Sequence, residues 1–381
     1  MIEFPKGFRG AAVASGIKKS GLDLTLIINE GRTKFATGVF TTNQVVAAPV
    51  RWTQEILKGR ALDGVLLNSG GANAATGERG AADVNVTAAA VAKALRNEDL
   101  KLAICSTGMI GIPLPMEKVL AGIEVLPKKI ESGQLLDCAT AIMTTDSKPK
   151  IAEHKHGEIR FVGIAKGAGM LAPSLATMLS VIMTDAEVNA VEAEEVFAEV
   201  CEETFNRIDS DGCTSTNDTV LLLASGESNG LISKTELRNA LLNVCKSLAE
   251  QLIGDAEGHT KVIEIRTINA KSARDAVEVG RACARNNLLK CALFGEDPNW
   301  GRVLAAVGTT RAVMDPNQID ISINGVEVCR KSSPGAPREE VNLKKERIEI
   351  VINLHSGNSE ASIFTNDLSV QYVHENSAYS T

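Results

Sequence analysis

The chain has 381 residues, a formal net charge of -7 at pH 7, 44% hydrophobic and 23% charged residues, and only 3% aromatics. This length exceeds the roughly 250 to 300 residues at which one hydrophobic core stops growing, so two core-bearing units or one large layered domain are expected. The acidic balance and the scarcity of aromatics exclude the basic, base-stacking surfaces that nucleic acid requires. The first ten residues carry charges where a secretory signal needs an apolar run, and no apolar stretch approaches the roughly 18 residues of a membrane span. A cytoplasmic protein with no membrane partner is expected. Eight scattered cysteines without a C-x-x-C pair predict reduced thiols and no structural metal.

In chain order, strand-like runs occupy Leu24 to Ile28, Phe35 to Phe40 and Gly64 to Asn68, followed by an alanine-rich helix from about Ala81 to Leu95. A strand at Lys101 to Ser106 and helices near Met116 to Ala121 and Ser132 to Ala141 come next. Two strands around Ile151 and Phe161 are joined by a turn at Lys155-His156-Gly157. Beyond this, strands at 177 to 184, 219 to 224, 261 to 267 and 288 to 294 alternate with helices at 188 to 204, 233 to 253 and 271 to 285. The last sixty residues read as strands at Ile319 to Ile323, Arg347 to Leu354, Ala361 to Phe364 and Val370 to Val373. The alternation predicts an α/β fold, and the strand-rich ending favours mixed sheets layered between helices over a parallel Rossmann sheet.

Histidine is too sparse for several chemistries. His154, His156, His259, His355 and His374 form no H-E-x-x-H and partner no G-x-S-x-G, which removes zinc hydrolase and α/β-hydrolase readings. Asp209-Ser-Asp211-Gly212 places its glycine at the wrong position for a calcium loop. The stretch Gly167-x-Gly169-x-x-Ala172 has the form of a dinucleotide fingerprint, which would suit a nucleotide-binding regulatory protein. Too few residues separate it from the next strand for a crossover helix, and Pro173 interrupts them. Small residues of this kind instead permit tight turns and close approach of the backbone, here around the Ala176-Thr177 peptide. A threonine at a chain start carries its own base, an α-amine with a pKa near 8, and needs no histidine to become a nucleophile. Spacing alone equally permits a glycine-rich loop entering a buried strand.

The run Lys166-Gly-Ala-Gly-Met-Leu-Ala-Pro-Ser-Leu-Ala-Thr-Met-Leu179 resembles the processing site of the ornithine acetyltransferase family of arginine biosynthesis, whose members cleave themselves at Ala-Thr. Asn68 to Gly77, Cys105 to Gly111, Met143 to Asp146, Thr214 to Thr219, Phe294 to Arg302 and Tyr372 to Thr381 resemble that family as well, in its order and across the whole chain. The resemblance implies cleavage between Ala176 and Thr177, with residues 1–176 and 177–381 sharing one catalytic fold. It implies Thr177 as nucleophile, Thr107 and Gly108 as oxyanion hole, and Thr144, Lys166, Thr177, Glu257, Asn376 and Thr381 as substrate contacts, with Thr145 as the alternative to Thr144. A lysine suits an α-carboxylate and a glutamate suits an amine. The implied reaction passes an acetyl group from N-acetylornithine to glutamate through an acetyl-threonine, without metal or organic cofactor, in a heterotetramer of two cleaved protomers. Acetyl-CoA as a second donor, or an autoprocessed amidase passing the acyl group to water, are the alternatives. Two residues depart from the family pattern: Cys213 where an aspartate is expected, and Ala75 where a cysteine is frequent. Both are expected to bear on local packing.

Overall fold

The computed structural model describes residues 2–171, 178–228 and 230–378. Ala176, Thr177 and Thr381 lie outside the described residues. The first half contains β1 (Phe8–Val13), β2 (Leu24–Asn29), β3 (Phe35–Phe40), α1 (Ala48–Leu57), β4 (Gly64–Gly71), α2 (Gly77–Leu95), β5 (Leu102–Met109), α3 (Met116–Val125) and α4 (Leu135–Ala141). It continues with β6 (Lys150–His156), β7 (Ile159–Lys166), β8 (Leu179–Thr184), α5 (Ala190–Glu203), β9 (Thr219–Ala224) and α6 (Lys234–Ile253). The last third holds β10 (Val262–Ala270), α7 (Ala273–Ala284), α8 (Asn287–Phe294), α9 (Trp300–Val307), β11 (Asp320–Ile323), β12 (Val326–Arg330), β13 (Ser333–Pro334), β14 (Arg347–Asn353), β15 (Ser359–Asn366) and α10 (Val370–Ala378).

The first two sheets, ordered β1-β2-β4-β5 and β3-β9-β8-β7-β6, lie face to face. Strand periodicity decides which side chains meet. In β8, Leu179, Val181 and Met183 turn inward with Leu221 and Leu223 of β9, and all pack against Ile27, Val65, Leu67 and Cys105 of the facing sheet. The alternate residues Ile182, Val220 and Leu222 turn outward under Val196, Phe197 and Val200 of α5 and Leu241, Val244 and Leu248 of α6. On the far side, Leu24, Leu26, Leu66 and Ile104 are covered by Val84 and Val91 of α2 and by Val119 and Ile123 of α3. A strand buried on both faces has no polar side to show, which is why β8 and β9 are predominantly apolar and even Ser180 within β8 is buried, donating to the Ile164 carbonyl at 2.9 Å. The result is an α-β-β-α sandwich of mixed sheets, as the sequence predicts.

The third sheet, β13-β12-β11-β14-β10-β15, is covered by α7, α8 and α9. Here Ile263, Ile265, Ile348, Ile350 and Ile352 are buried while Glu264, Arg266 and Glu349 alternate on the other face. Strand β7 pairs antiparallel with β8, from Phe161↔Thr184 to Lys166↔Leu179. An antiparallel pair leaves no place for a parallel crossover, so Gly167-x-Gly169 opens no dinucleotide-binding unit. The same pairing puts the chain before and after residues 172–177 in one sheet.

Two expected strands are helices. Residues 288–294 form α8, because the Asn286 side chain caps the Leu289 N–H at 2.9 Å and Leu289, Ala292 and Leu293 bury one helical face. Val370 to Val373 begin α10, where the Ser369 hydroxyl accepts the Tyr372 N–H at 2.9 Å and both valines stay exposed. The helix expected from Ser132 starts only at Leu135, after Gly133. Strands β1 and β12 and helices α1 and α9 were not among the expected elements, although both helices are amphipathic: α1 buries Val50, Thr53 and Leu57, and α9 buries Val303, Ala306 and Val307.

Phe161 has no exposed surface and lies under α5 and α6 in the outer core of the second sheet. Phe161→Ala is expected to lower unfolding stability by ~3–5 kcal/mol. Chemical denaturation should show this as a lower midpoint.

Candidate active site

The sandwich ends in a cavity of about 330 Å³ where β5 and β7 finish and β9 is about to start. Six of the residues singled out in the sequence line it: Thr107, Gly108, Thr144, Lys166, Glu257 and Asn376. Thr145 lines it too, so both threonines of the Met143 to Asp146 stretch face the same space. None of the five histidines is on its wall.

Thr107 and Gly108 owe their placement to an irregular end of the first sheet. The parallel register of β4 and β5 shifts at Gly70 and Gly71, opposite Gly108. Gly108 has φ +127°, and a Cβ there would lie 2.5 Å from the Gly70 carbonyl carbon and 2.6 Å from the Gly71 nitrogen. Only glycine tolerates both that dihedral and that approach. The buried Thr107 Oγ1 accepts a hydrogen bond from Lys166 Nζ at 3.3 Å. An ammonium can only donate, so the threonine keeps its own proton to give elsewhere.

Lys166, at the end of β7, is 1% exposed. Burial draws its pKa down, and the Asp146 carboxylate is the largest influence opposing that fall. Burial alone would raise the Asp146 carboxyl, yet the Lys166 and Lys150 charges and the Gly167 N–H hold it down to about 2. Across the cavity, the Glu257 N–H donates to the Ala168 carbonyl at 2.9 Å, in the loop after α6. Its carboxylate rests on the bare Gly169, where a Cβ would meet Oε2 at 2.5 Å. Helix α10 closes another side with Tyr372 and Asn376. It packs so tightly on Gly258, φ +58°, that a Cβ there would lie 2.2 Å from the Tyr372 nitrogen. Burial, with the negative charges of Asp211 and Glu257, pushes the Tyr372 hydroxyl up to about 12.

Several lining residues escape a reading by spacing: Asp211, Ser215, Thr216, Asn217 and Tyr372. Asn217 donates from Nδ2 to the Ala72 carbonyl at 2.6 Å and the Ser106 carbonyl at 2.9 Å, joining the ends of β4 and β5 to the start of β9. Asp211 accepts the Leu171 N–H at 2.9 Å, and Asp218 accepts the Met178 N–H at 2.9 Å. These two carboxylates hold the residues bordering 172–177. Burial pushes Asp218 well above the usual carboxylate range despite that N–H. The sequence signals for this wall are the Thr214 to Thr219 and Tyr372 to Thr381 stretches, in which Ser215, Thr216, Asn217 and Tyr372 carry no role of their own. Cys213 also lines the cavity, so its departure from the family pattern bears on the site itself and not on packing alone. Among the described residues, no cluster of three or more histidine, cysteine, aspartate or glutamate side chains could hold a metal ion, and no helix is long and apolar enough to cross a membrane.

The ArgJ family description matches residues 9–381. The arginine biosynthesis bifunctional protein ArgJ of Thermobifida fusca is 50% identical over 378 residues, covering 99% of both chains. The protein of the same name from Mycobacterium tuberculosis H37Rv is 50% identical over 388 residues, covering 99% of this chain and 96% of its own. A crystal structure of the Bacillus halodurans protein of that name aligns with a TM-score of 0.50 at 33% identity, covering 52% of this chain and 98% of that one. The sandwich, its cavity and these relatives define an enzyme of the acyltransferase class. The chain belongs to the ArgJ family.

Contact between Glu257 and Gly169 makes the glycine a sensitive position. Gly169→Ala should displace the carboxylate from the cavity and raise KM ~10-fold or more, with kcat less affected. Steady-state kinetics checks this, and an unchanged KM would show that Glu257 does not meet the substrate.

Proposed function

We propose that this enzyme transfers the acetyl group of N2-acetyl-L-ornithine to L-glutamate in two displacements through an acetyl ester of Thr177, after cutting itself between Ala176 and Thr177. The observation that carries the reading is convergence: residues from five distant stretches of sequence, Thr107 and Gly108, Thr144, Lys166, Glu257 and Asn376, line one cavity. Its volume, about 330 Å³, is at the small end of the roughly 300–1,000 Å³ typical of ligand pockets, which suits an amino-acid derivative.

In the self-cleavage, the Thr177 hydroxyl attacks the Ala176 carbonyl carbon. The peptide C–N bond gives way to an ester, which frees the Thr177 amine, and water then hydrolyses the ester to a carboxylate at Ala176 and the restored Thr177 hydroxyl. That amine takes the hydroxyl proton as Thr177 attacks the acetyl carbonyl of acetylornithine. The oxyanion forms against the Thr107 hydroxyl and the Gly108 N–H, and the protonated amine returns its proton to the departing ornithine nitrogen. Glutamate then attacks the ester through its α-amine, giving N-acetylglutamate and restoring the threonine. Lys166 is assigned the substrate α-carboxylate and Glu257 the side-chain amine, with Thr144, Asn376 and Thr381 completing the contacts. The cleaved segments 1–176 and 177–381 stay together and pair into a heterotetramer in the cytoplasm. Relatives bear the name bifunctional, which favours a second donor, acetyl-CoA, loading the same threonine.

Denaturing electrophoresis and intact mass should give two fragments for the wild type and one unbroken chain for Thr177→Ala. Fragments in both, or in neither, would remove the nucleophile assignment. In the processed enzyme, Thr107→Ala should lower kcat ~100- to 1,000-fold, the usual cost of one oxyanion donor. Equal acetate release with and without glutamate would favour an amidase instead, and glutamate acetylation from acetyl-CoA alone would establish the second donor.

A further inference from the structure

One carboxylate lies behind two walls of the cavity. Asp146, whose side chain has no exposed surface, accepts the Gly167 N–H at 2.7 Å on Oδ1 and the Thr144 N–H at 3.0 Å on Oδ2. The Lys166 ammonium stands 4.0 Å from the same Oδ2. Behind Asp146, the equally buried Lys150 donates to its Oδ1 at 2.6 Å and to Asp255 Oδ2 at 2.5 Å. Asp255 precedes Glu257 by two positions and also accepts the Ser147 N–H at 3.1 Å. Charges therefore alternate in sign along Lys166, Asp146, Lys150 and Asp255, from the cavity to the loop that carries its opposite wall.

A row of buried ions is poor material for stability, because desolvation consumes much of the attraction and apolar side chains of similar volume would serve better. It is good material for geometry, since each member has one place where its charge is answered. We propose that Asp146 is a positioning residue: it sets the Lys166 ammonium and the Thr144 backbone relative to each other, and Lys150 with Asp255 extends that constraint to the Glu257 loop. The inference rests on the reading of Lys166 and Glu257 as substrate contacts.

Lys166 is faced by Asp146 from the turn before β6, by Lys150 from β6, by Asp218 from the stretch before β9 and by Glu257 from the loop after α6. Asp146 favours the ammonium and Lys150 disfavours it, so the two partners give opposite signs. Neutralising Asp146 lowers the pKa of Lys166. Neutralising Lys150 raises it.

The test compares the processed wild type, Asp146→Asn and Lys150→Met by two readouts. One is the pH profile of kcat/KM for acetyl transfer to glutamate. The other is the titration of the Lys166 amine by NMR on 15N-lysine-labelled protein, with the resonance assigned by its loss in Lys166→Arg. The expected result is an alkaline limb and an amine titration that both move down by about 1 pH unit or more in Asp146→Asn, with kcat/KM reduced ~10-fold or more at neutral pH. Both should move up in Lys150→Met. If Asp146→Asn does not fold, the upward movement in Lys150→Met alone decides, and its absence overturns the proposal. Lower thermal stability with unmoved titration would mean that Asp146 is merely structural. Shifted amine titrations in the variants of a wild type that itself performs no acetyl transfer would sustain the positioning role and sink the substrate reading.

Discussion

Where the apolar interleaving between the two sheets runs out, the backbone groups at the strand ends have to find new partners, and Asn217 supplies them. Its amide spans from one sheet to the other by taking the carbonyls of Ala72 and Ser106. Buried carbonyls left unpaired would be costly. The strands can therefore separate at this end without leaving orphans, and the space between them becomes a polar cavity instead of more core. Everything that faces the cavity hangs on this transition. The glycines at the end of β4, the left-handed Gly108 and the buried lysine of β7 all sit just past the last layer of aliphatic side chains.

Parts of the cavity wall are built by pairing buried aspartates with rigid backbone. Asp211 and Asp218 hold main-chain N–H groups on either side of the glycine-rich loop. Asp367 does the same for Thr260 and Lys261, at 2.9 and 2.8 Å, where the third sheet joins the sandwich. Carboxylates that accept N–H groups fix the path of a chain without needing a regular ladder. This explains how a stretch with little secondary structure, from Ile208 to Asp218, can form one side of a defined pocket.

The layered fold was legible because its strands obey simple rules. β3 and β9 are apolar, bounded and β-branched or leucine-rich, and their limits agree with the sequence reading. Helices α8 and α10 differ from the expected strands because apolar residues in short runs fit either period, and the deciding groups, Asn286 and Ser369, lie two positions and one position before the runs. Five of the six cavity residues were legible through family motifs, not through spacing, while Glu257 lies outside every one of those motifs and followed only from the resemblance as a whole. Asn217 and Asp146 lie within the Thr214 to Thr219 and Met143 to Asp146 motifs, which assign them no role. Their surroundings depend on which carbonyls and ammonium groups the fold brings within 4 Å, and no local pattern carries that information.

The pairing of β7 with β8 has a further consequence for reversibility. Strands before and after the glycine-rich loop share a continuous ladder from Phe161↔Thr184 to Lys166↔Leu179. A chain severed between Lys166 and Leu179 would keep that ladder and the two-sided core around it. Its unfolding, however, would release two molecules instead of one. The loop that once kept the strands close would no longer limit their separation, so recovery from denaturant would become a second-order event that slows on dilution. For such a molecule, endurance is set by the rate of the first opening and not by an equilibrium between folded and unfolded forms.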